Sequence, residues 1–479
     1  MTEIEKQRDE TGFFKACIVA GKRIREFDDA VIVHHFDADG IPAGSIVFSA
    51  MYRNGIAPAM QCWKKTTPEY LQKLKETTFK QIVFCDLGAG YTSKLAEALP
   101  DREIIILDHH EPETPVNQRP ADSNITIVNP HDFGIDGGNE ACGGGTSYLC
   151  FREFPELSQL ALVSTVGDMQ DRAGLIGVNK LILKDSVDAG ITTVKKDLRI
   201  FGRSSRSLIG FLSYASDPFL PGLTGNDKNC AQFLAENEIP YKQNDKYVSY
   251  YELQEDDRKR LSSALIEHCL ANGMAEKAVD KMIGDVYLFN NEQPGTPFFD
   301  SHEFSVVMNA CGRNNEAQTG VGACLKNPDS RKKAMEIMQA HRQNLRSGMT
   351  LAKHKLSDAG EFYLLDLRGQ VKDSIIGTVA GATLANLVQS TKPIIALSLD
   401  EDDHEMLKIS ARGTNELIEK GLDLNQMLRI ACKDLGKSTG GGHKVAAGAS
   451  VEKRSLNEFL LKCAGIIHKQ LSGEEVKLD

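Results

Sequence analysis

VIVHHFDADG, residues 31–40, is the stretch whose reading decides the fold. Val31, Ile32 and Val33 read as a buried strand that runs straight into His34, His35, Asp37 and Asp39. Polar groups crowded at the end of a buried strand are costly to desolvate and repel one another unless something compensates them. A divalent cation is the simplest compensation. Gly40, followed by Ile41, Ala43, Ile46, Val47, Ala50 and Met51 at helical spacing, predicts a sharp turn into a helix.

The pattern repeats downstream. Residues 81–85 (QIVFC) are apolar and end at Asp86; residues 103–107 (EIIIL) end at Asp108, His109 and His110. Near-continuous apolar strands separated by helical segments predict βαβ units and a parallel sheet covered on both faces. In such sheets ligands bind beyond the carboxyl ends of the strands, where these acids and imidazoles stand. Asp168, in ALVSTVGDMQDR, follows an apolar segment expected to be helical and gains its weight from the other stretches. Imidazole and carboxylate together suit manganese, and also zinc or iron, whereas magnesium favours oxygen ligands alone. Two cations roughly 3.5–4 Å apart, sharing one carboxylate, would hold a scissile phosphate, activate water and stabilise the leaving oxygen.

Bulk properties restrict the alternatives. At 479 residues the chain has room for two to four domains. Lys and Arg total 56 against 66 for Asp and Glu, a net charge of −10. That argues against a generic nucleic-acid coat but allows an enzyme with a local basic groove. The sequence offers no apolar run long enough for a membrane span and no apolar signal core at its N-terminus. The 11 cysteines are scattered without a CxxC pair, which fits reduced thiols in a cytoplasmic protein.

HFDADG, CDLG, DHH and GD, in this order, resemble the four motifs of the DHH phosphoesterase superfamily. NACGR, SARG and GGGH resemble the DHH-associated substrate-binding domain, and the whole arrangement is similar to the archaeal RecJ-like nucleases, the group that includes the GINS-associated nuclease. The resemblance implies that His35, Asp37 and Asp86 hold one manganese, and that Asp39, Asp86, His109 and Asp168 hold the second, with Asp86 bridging. It also implies that His110 faces the phosphate or supports the shell, and that Asp108 orients a histidine. Bacterial RecJ proteins tend to carry an acid where His35 stands. His34 matches no ligand of the family and is read as packing.

The rest of the chain is read from its residues. Residues 64–80 form a helix with a solvated lysine face. The glycines at 137–138 and 143–145 precede a helix and, lacking a P-loop lysine, are read as close backbone packing. Arg199, Arg203 and Arg206, with Phe201 among them, would share a helix face; they suit either single-stranded nucleic acid or a plain solvated helix. DPFLPGLTGN (217–226) is a connector, and 227–285 is polar and helix-rich.

From about residue 300 a second α/β domain is expected. FSVVMNACGR (304–313) reads as a strand ending at Asn309, with Arg313 beyond it; further strands are expected at 362–369, 393–400 and 405–413, and helices at 331–348 and 373–388. In the strand at 405–413, Lys408, Ser410 and Arg412 face one way and Leu407, Ile409 and Ala411 the other, so Arg412 suits a bidentate phosphate contact. Gly440, Gly441 and Gly442 let main-chain N–H groups converge on an anion, aided by a following helix start, and His443 can donate to it.

The expected architecture is α/β: a parallel-sheet DHH catalytic domain (1–200), a helical connector (201–300) and a DHH-associated substrate-binding domain (301–479), with a cleft between the lobes. The resemblance implies an exonuclease that uses two Mn²⁺ ions, with Mg²⁺ as the alternative, working 5′→3′ on single-stranded DNA and also RNA in replication or repair. The rival readings are an oligoribonuclease or nucleotide phosphatase of the same superfamily, and a scaffold that binds GINS or the replicative helicase. No membrane partner is expected.

Overall fold

The computed structural model describes residues 8–120, 123–215, 218–385, 391–401 and 403–473. The first seven residues, residue 217 of the expected connector and the end of the helix expected at 373–388 lie outside the described residues. Two compact units are present, Met1–Met338 and Gln339–Asp479.

The first unit opens with α1 (Glu10–Ile24), capped by the Asp9 side chain. A parallel sheet follows: β1 (Ala30–His35), β2 (Ala59–Trp63), β3 (Gln81–Cys85), β4 (Glu103–Leu107) and β5 (Ile125–Val128), in the spatial order β2-β1-β3-β4-β5. Helices α2 (Gly40–Arg53), α3 (Pro68–Lys75) and α4 (Thr92–Ala98) fill the crossovers. The strand interiors are apolar because both faces are covered: Ile32, Val83 and Ile105 pack into one core, and Val31, Phe84 and Ile106 into another. The expected strands β1, β3 and β4 are present. β2 and β5, which the sequence reading did not find, flank them.

Helices α5 (Gly143–Leu149), α6 (Ser158–Gly167) and α7 (Gly177–Asp188) then pack behind the strand ends. Strand β6 (Thr192–Leu198) pairs antiparallel with the later β9 (Ile283–Phe289). Between them lie α8 (Leu208–Ser213), α9 (Asp227–Glu236), the small hairpin β7 (Lys242–Gln243) and β8 (Lys246–Tyr247), α10 (Glu255–Ala271) and α11 (Glu276–Asp280). This segment has its own core, built on Leu208, Phe211, Leu234, Leu261 and Leu265.

Two expectations fail here. Residues 199–207 form no helix; β6 ends at Leu198 and a loop follows. The arginines of that loop are tied inward: Arg199 to Asp171, Arg203 to the buried Asp300, and Arg206 against the Tyr214 ring and the Phe201 carbonyl. FSVVMNACGR is not a strand either. It is α12 (Ser301–Arg313), capped by Asp300, whose carboxylate accepts from the His302 and Glu303 N–H groups. Its β-branched residues suggested a strand, but Phe304, Val307, Met308 and Cys311 fall at helical spacing and all are buried. Each such side chain is worth about 1.5–3 kcal/mol when fully buried. With α13 (Ala317–Cys324), α12 packs against α2. Residues 301–338 therefore belong to the first unit, and the domain boundary expected at 300 is displaced to 338, within α14 (Pro328–Lys355).

The second unit is a mixed sheet of β10 (Leu356–Asp358), β11 (Tyr363–Asp366), β12 (Ile394–Leu399), β13 (Met406–Arg412), β14 (Thr439–Gly442) and β15 (Ala446–Glu452), ordered β10-β11-β12-β13-β15-β14. Helix α15 (Asp373–Ala385) covers one part, while α16 (Asn415–Glu419), α17 (Leu424–Cys432) and α18 (Leu456–Ser472) complete the unit. The alternation expected in β13 is present: Leu407, Ile409 and Ala411 enter the core shared with α17 and α18. Arg412 and Ser410 lie on the α15 side, where a Cβ on Gly377 would stand 2.4 Å from Arg412 Nη2 and 2.9 Å from Ser410 Oγ.

The glycine run departs from expectation. Gly440, Gly441 and Gly442 belong to edge strand β14, and residues 443–445 turn into β15 rather than a helix, so no helix dipole serves them. Gly442 has φ +142°, and a Cβ there would sit 2.7 Å from Ala447 Cα. Its N–H donates to Asn425 Oδ1 at 3.0 Å. His443 is exposed, its N–H donating to the Ala446 carbonyl.

Candidate metal centre

The carboxyl ends of β1, β3 and β4 deliver His35, Asp37, Asp39, Asp86, His109 and His110 to one place. Three overlapping groups have ligand atoms within 4.8 Å of one another: His35, Asp37 and Asp86; Asp39, His109 and Asp168; and Asp86, His109 and His110. Asp86 lies between the sets. Its Oδ2 is 3.3 Å from His35 Nδ1 and its Oδ1 is 3.2 Å from His109 Nε2. It is held there by an αL backbone, φ 63°, unusual for a residue other than glycine. His109 Nε2 is also 3.4 Å from Asp39 Oδ2 and 3.2 Å from Asp168 Oδ2. Asp168 stands at the C-terminus of α6, where the helix ends.

Each side chain is oriented by the residues around it. Asp37 Oδ1 accepts the Asp39 and Gly40 N–H groups at 3.1 and 3.0 Å. The Asp39 carboxylate sits on the start of α5, accepting from Gly143 N and Gly144 N at 2.7 Å each. Asp108 takes N–H bonds from Ala89 and His109 and holds His110 through Nδ1 at 2.8 Å, leaving that ring half-exposed. His34 is fully buried; its Nδ1 donates to the His35 carbonyl at 2.7 Å, and burial pushes it down to about 4.

The electrostatics are those of an anionic cage. Burial, reinforced by Asp86 and Asp168, pushes Asp39 far above the usual carboxylate range. Burial also lifts Asp168 to about 6 against the pull of His109. Burial would lower His35, but Asp37 and Asp86 overcome it and raise it to about 12. Asp86 Oδ1 and His109 Nε2 are buried without a hydrogen-bond partner. Buried polar atoms of this kind normally find partners. Two that point at each other amid three further carboxylates fit a donor set for divalent cations, with nitrogen and oxygen ligands mixed.

The residues that hold these side chains in place carry no local signal in the sequence. Gly143 and Gly144 were read as close packing, which they provide: a Cβ on Gly143 would lie 2.6 Å from Asp86 Cβ, and one on Gly144 2.0 Å from Ser164 Oγ. They also bind Asp39, which nothing in a glycine run announces. Gly143→Ala is expected to displace Asp86, weakening any divalent-cation binding and lowering stability by about 1–3 kcal/mol, as overpacking does. Metal titration and urea unfolding of the variant check both parts.

Asn309 was expected to face substrate from a strand of the second domain. It lies on α12 of the first unit, and its Oδ1 accepts the Ala38 N–H at 3.1 Å, bracing the loop between Asp37 and Asp39. Gly312, one turn on, meets the Phe36 carbonyl so closely that a Cβ would stand 1.6 Å from its oxygen. Arg313 comes within electrostatic reach of Asp37; burial lowers its guanidinium, and Asp37 opposes that. Ser410, Arg412, Gly440, Gly441, Gly442 and His443 all belong to the second unit.

Comparison with known proteins gives consistent likenesses. Residues 200–283 match the DHH-CID domain and residues 361–469 the DHHA1 domain. The chain is 30% identical over 446 residues to an uncharacterized protein of Methanocaldococcus jannaschii, covering 92% of this chain and 93% of that one. Among solved structures, CDC45 from Entamoeba histolytica aligns with a TM-score of 0.65 at 10% identity, over 96% of this chain and 99% of that one. RecJ from Thermus thermophilus, solved with Mn²⁺, aligns with a TM-score of 0.57 at 16% identity, over 96% of this chain and 55% of that one. This chain thus spans about half the length of that RecJ. At these identities the two structures speak to the fold alone. Among the described residues, no helix is long and apolar enough to cross a membrane, and the 11 cysteines form no disulfide.

Proposed function

The chain belongs to the DHH superfamily as a RecJ-like member, and from that premise we propose that it is a manganese-dependent exonuclease on single-stranded nucleic acid. The observation that carries this reading is the convergence of Asp86 Oδ1 and His109 Nε2, buried and unpartnered, within a cage of further acids and imidazoles. His35, Asp37 and Asp86 would hold one cation, and Asp39, Asp86, His109 and Asp168 the other. When bound, such a pair supplies Lewis-acid polarisation of a phosphodiester and a water acidified toward neutrality.

The chain's own groups do the rest. His110, anchored through Nδ1 by Asp108, keeps Nε2 for a phosphate oxygen. Arg313 places positive charge beside Asp37, where phosphate charge would build. In the second unit, Ser410 and Arg412 would bind backbone phosphates, and strand β14 would let that backbone come close, because its glycines carry no side chains. Single-stranded DNA is the primary substrate proposed, with RNA as a second, digested from its 5′ end.

The experiment is digestion of strands labelled at one end and blocked at the other, with Mn²⁺, Mg²⁺ or chelator. Mononucleotide release that requires the metal and an open 5′ end is the expected result. Release from the 3′ end alone overturns the polarity, and hydrolysis confined to short oligonucleotides favours an oligoribonuclease. The likeness in fold to CDC45 supports a second reading, a replication scaffold that binds GINS or a helicase. No release from any strand would favour it.

A further inference from the structure

We propose that Gln170, seated by Asn179, is a positioning residue that locks two ligands of the metal centre, His109 and Asp168, through the carbonyl of Gly137. The proposal rests on the two-cation reading above.

The Gly137 carbonyl accepts two bonds. One comes from His109 Nδ1 at 2.7 Å and one from Gln170 Nε2 at 2.9 Å. The same amide nitrogen is 3.4 Å from Asp168 Oδ2 and 3.5 Å from the Ala141 carbonyl. The amide's orientation is fixed from its other end, where Gln170 Oε1 accepts from Asn179 Nδ2 at 2.6 Å. Asn179 Oδ1 in turn accepts from Thr165 Oγ1 at 3.2 Å. An amide turned the other way would set donor against donor at Asn179 and acceptor against acceptor at Gly137.

Backbone features serve the same arrangement. Met169 has φ +59°, turning the chain immediately after Asp168 so that Gln170 returns beneath it. Gly137 approaches so closely that a Cβ would stand 2.1 Å from the His109 carbonyl oxygen. Gln170 is 5% exposed and Asn179 not at all. A buried amide is costly unless its groups are used, and here both ends of Gln170 are.

The consequence is specific. With Nδ1–H given to Gly137, His109 presents the Nε2 lone pair to the centre. The second hydrogen of the Gln170 amide limits where Asp168 Oδ2 can swing. His35 and Asp37 make their bonds elsewhere. Loss of Gln170 should therefore weaken the cation held by His109 and Asp168 and spare the one held by His35 and Asp37.

The test is Mn²⁺ titration of the full chain, by calorimetry and by electron paramagnetic resonance of the unbound ion, with thermal unfolding in parallel. Gln170→Met keeps length and bulk and removes the amide. One of two ions is expected to bind about 10–100-fold more weakly, the other unchanged. Asn179→Ala, the second variant should Gln170→Met fail to fold, is expected to weaken the same ion by less. Wild-type affinity for both ions in either variant that folds overturns the inference. Equal weakening of both, alongside a lowered unfolding temperature, also overturns it, because that is a structural loss. A wild type that binds no Mn²⁺ overturns the centre itself and this inference with it.

Discussion

Asp86→Ala is expected to reduce Mn²⁺-dependent release of nucleotides by about three orders of magnitude or more, a loss of several kcal/mol of transition-state stabilisation. Asp86 faces both halves of the centre. Its Oδ2 reaches His35 and its Oδ1 reaches His109. Removing it takes a shared anion from both cation sets at once, whereas His35→Ala or Asp168→Ala takes a ligand from one. The stoichiometry of bound Mn²⁺ should fall with the rate. Asp86→Asn separates charge from shape: it keeps the side chain's size and a carbonyl oxygen but lacks the negative charge. Stability at neutral pH should not suffer, since the substitution removes one of several mutually repelling acids. Activity within tenfold of wild type in Asp86→Ala would end the two-metal reading.

The convergence of these side chains was legible because strand ends in a parallel sheet are where ligands gather, and because acids after apolar runs are conspicuous. His35, Asp37, Asp39, Asp86 and His109 could be placed from β1, β3 and β4 alone. The supports were not legible. Gly143, Gly144, Asn309 and Gln170 act across more than 100 residues or through main-chain atoms, and neither leaves a local periodicity. Asn309 illustrates the difficulty. FSVVMNACGR carries a phenylalanine and two adjacent valines, so local propensity favours a strand, yet tertiary burial of Phe304, Val307, Met308 and Cys311 decides for a helix. The arginines of 199–206 mislead in the opposite way. They resemble an exposed basic face, but Asp171 and Asp300, the partners of Arg199 and Arg203, are distant in sequence.

Those partners carry the last large effect. Arg203 and Asp300 form a buried ion pair, and Asp300 Oδ1 also accepts the His302 N–H at 2.9 Å, starting α12. Asp300→Ala leaves a guanidinium buried without its anion and a helix without its cap. Breaking a buried pair from one side costs about 3–5 kcal/mol, and the unfolding midpoint of the first unit in urea should fall accordingly. The pH dependence has a definite sign. Burial alone would raise Asp300, but Arg203 and His302 overcome it and hold the carboxyl at about 2, below its ordinary 3.8. A depressed carboxyl stabilises the fold fully above its unfolded value and loses that contribution as pH falls through the folded one. The difference between wild type and Asp300→Asn should therefore be largest near neutrality and shrink between about pH 4 and pH 2. A constant difference across that range would show that the charge is not what Asp300 contributes. Because α12 carries Asn309 to the Ala38 N–H, loosening its start should also weaken metal binding before the unit unfolds. Urea titrations with and without Mn²⁺ would separate the two losses, since a cation that binds only the folded unit raises the midpoint less in the variant than in the wild type.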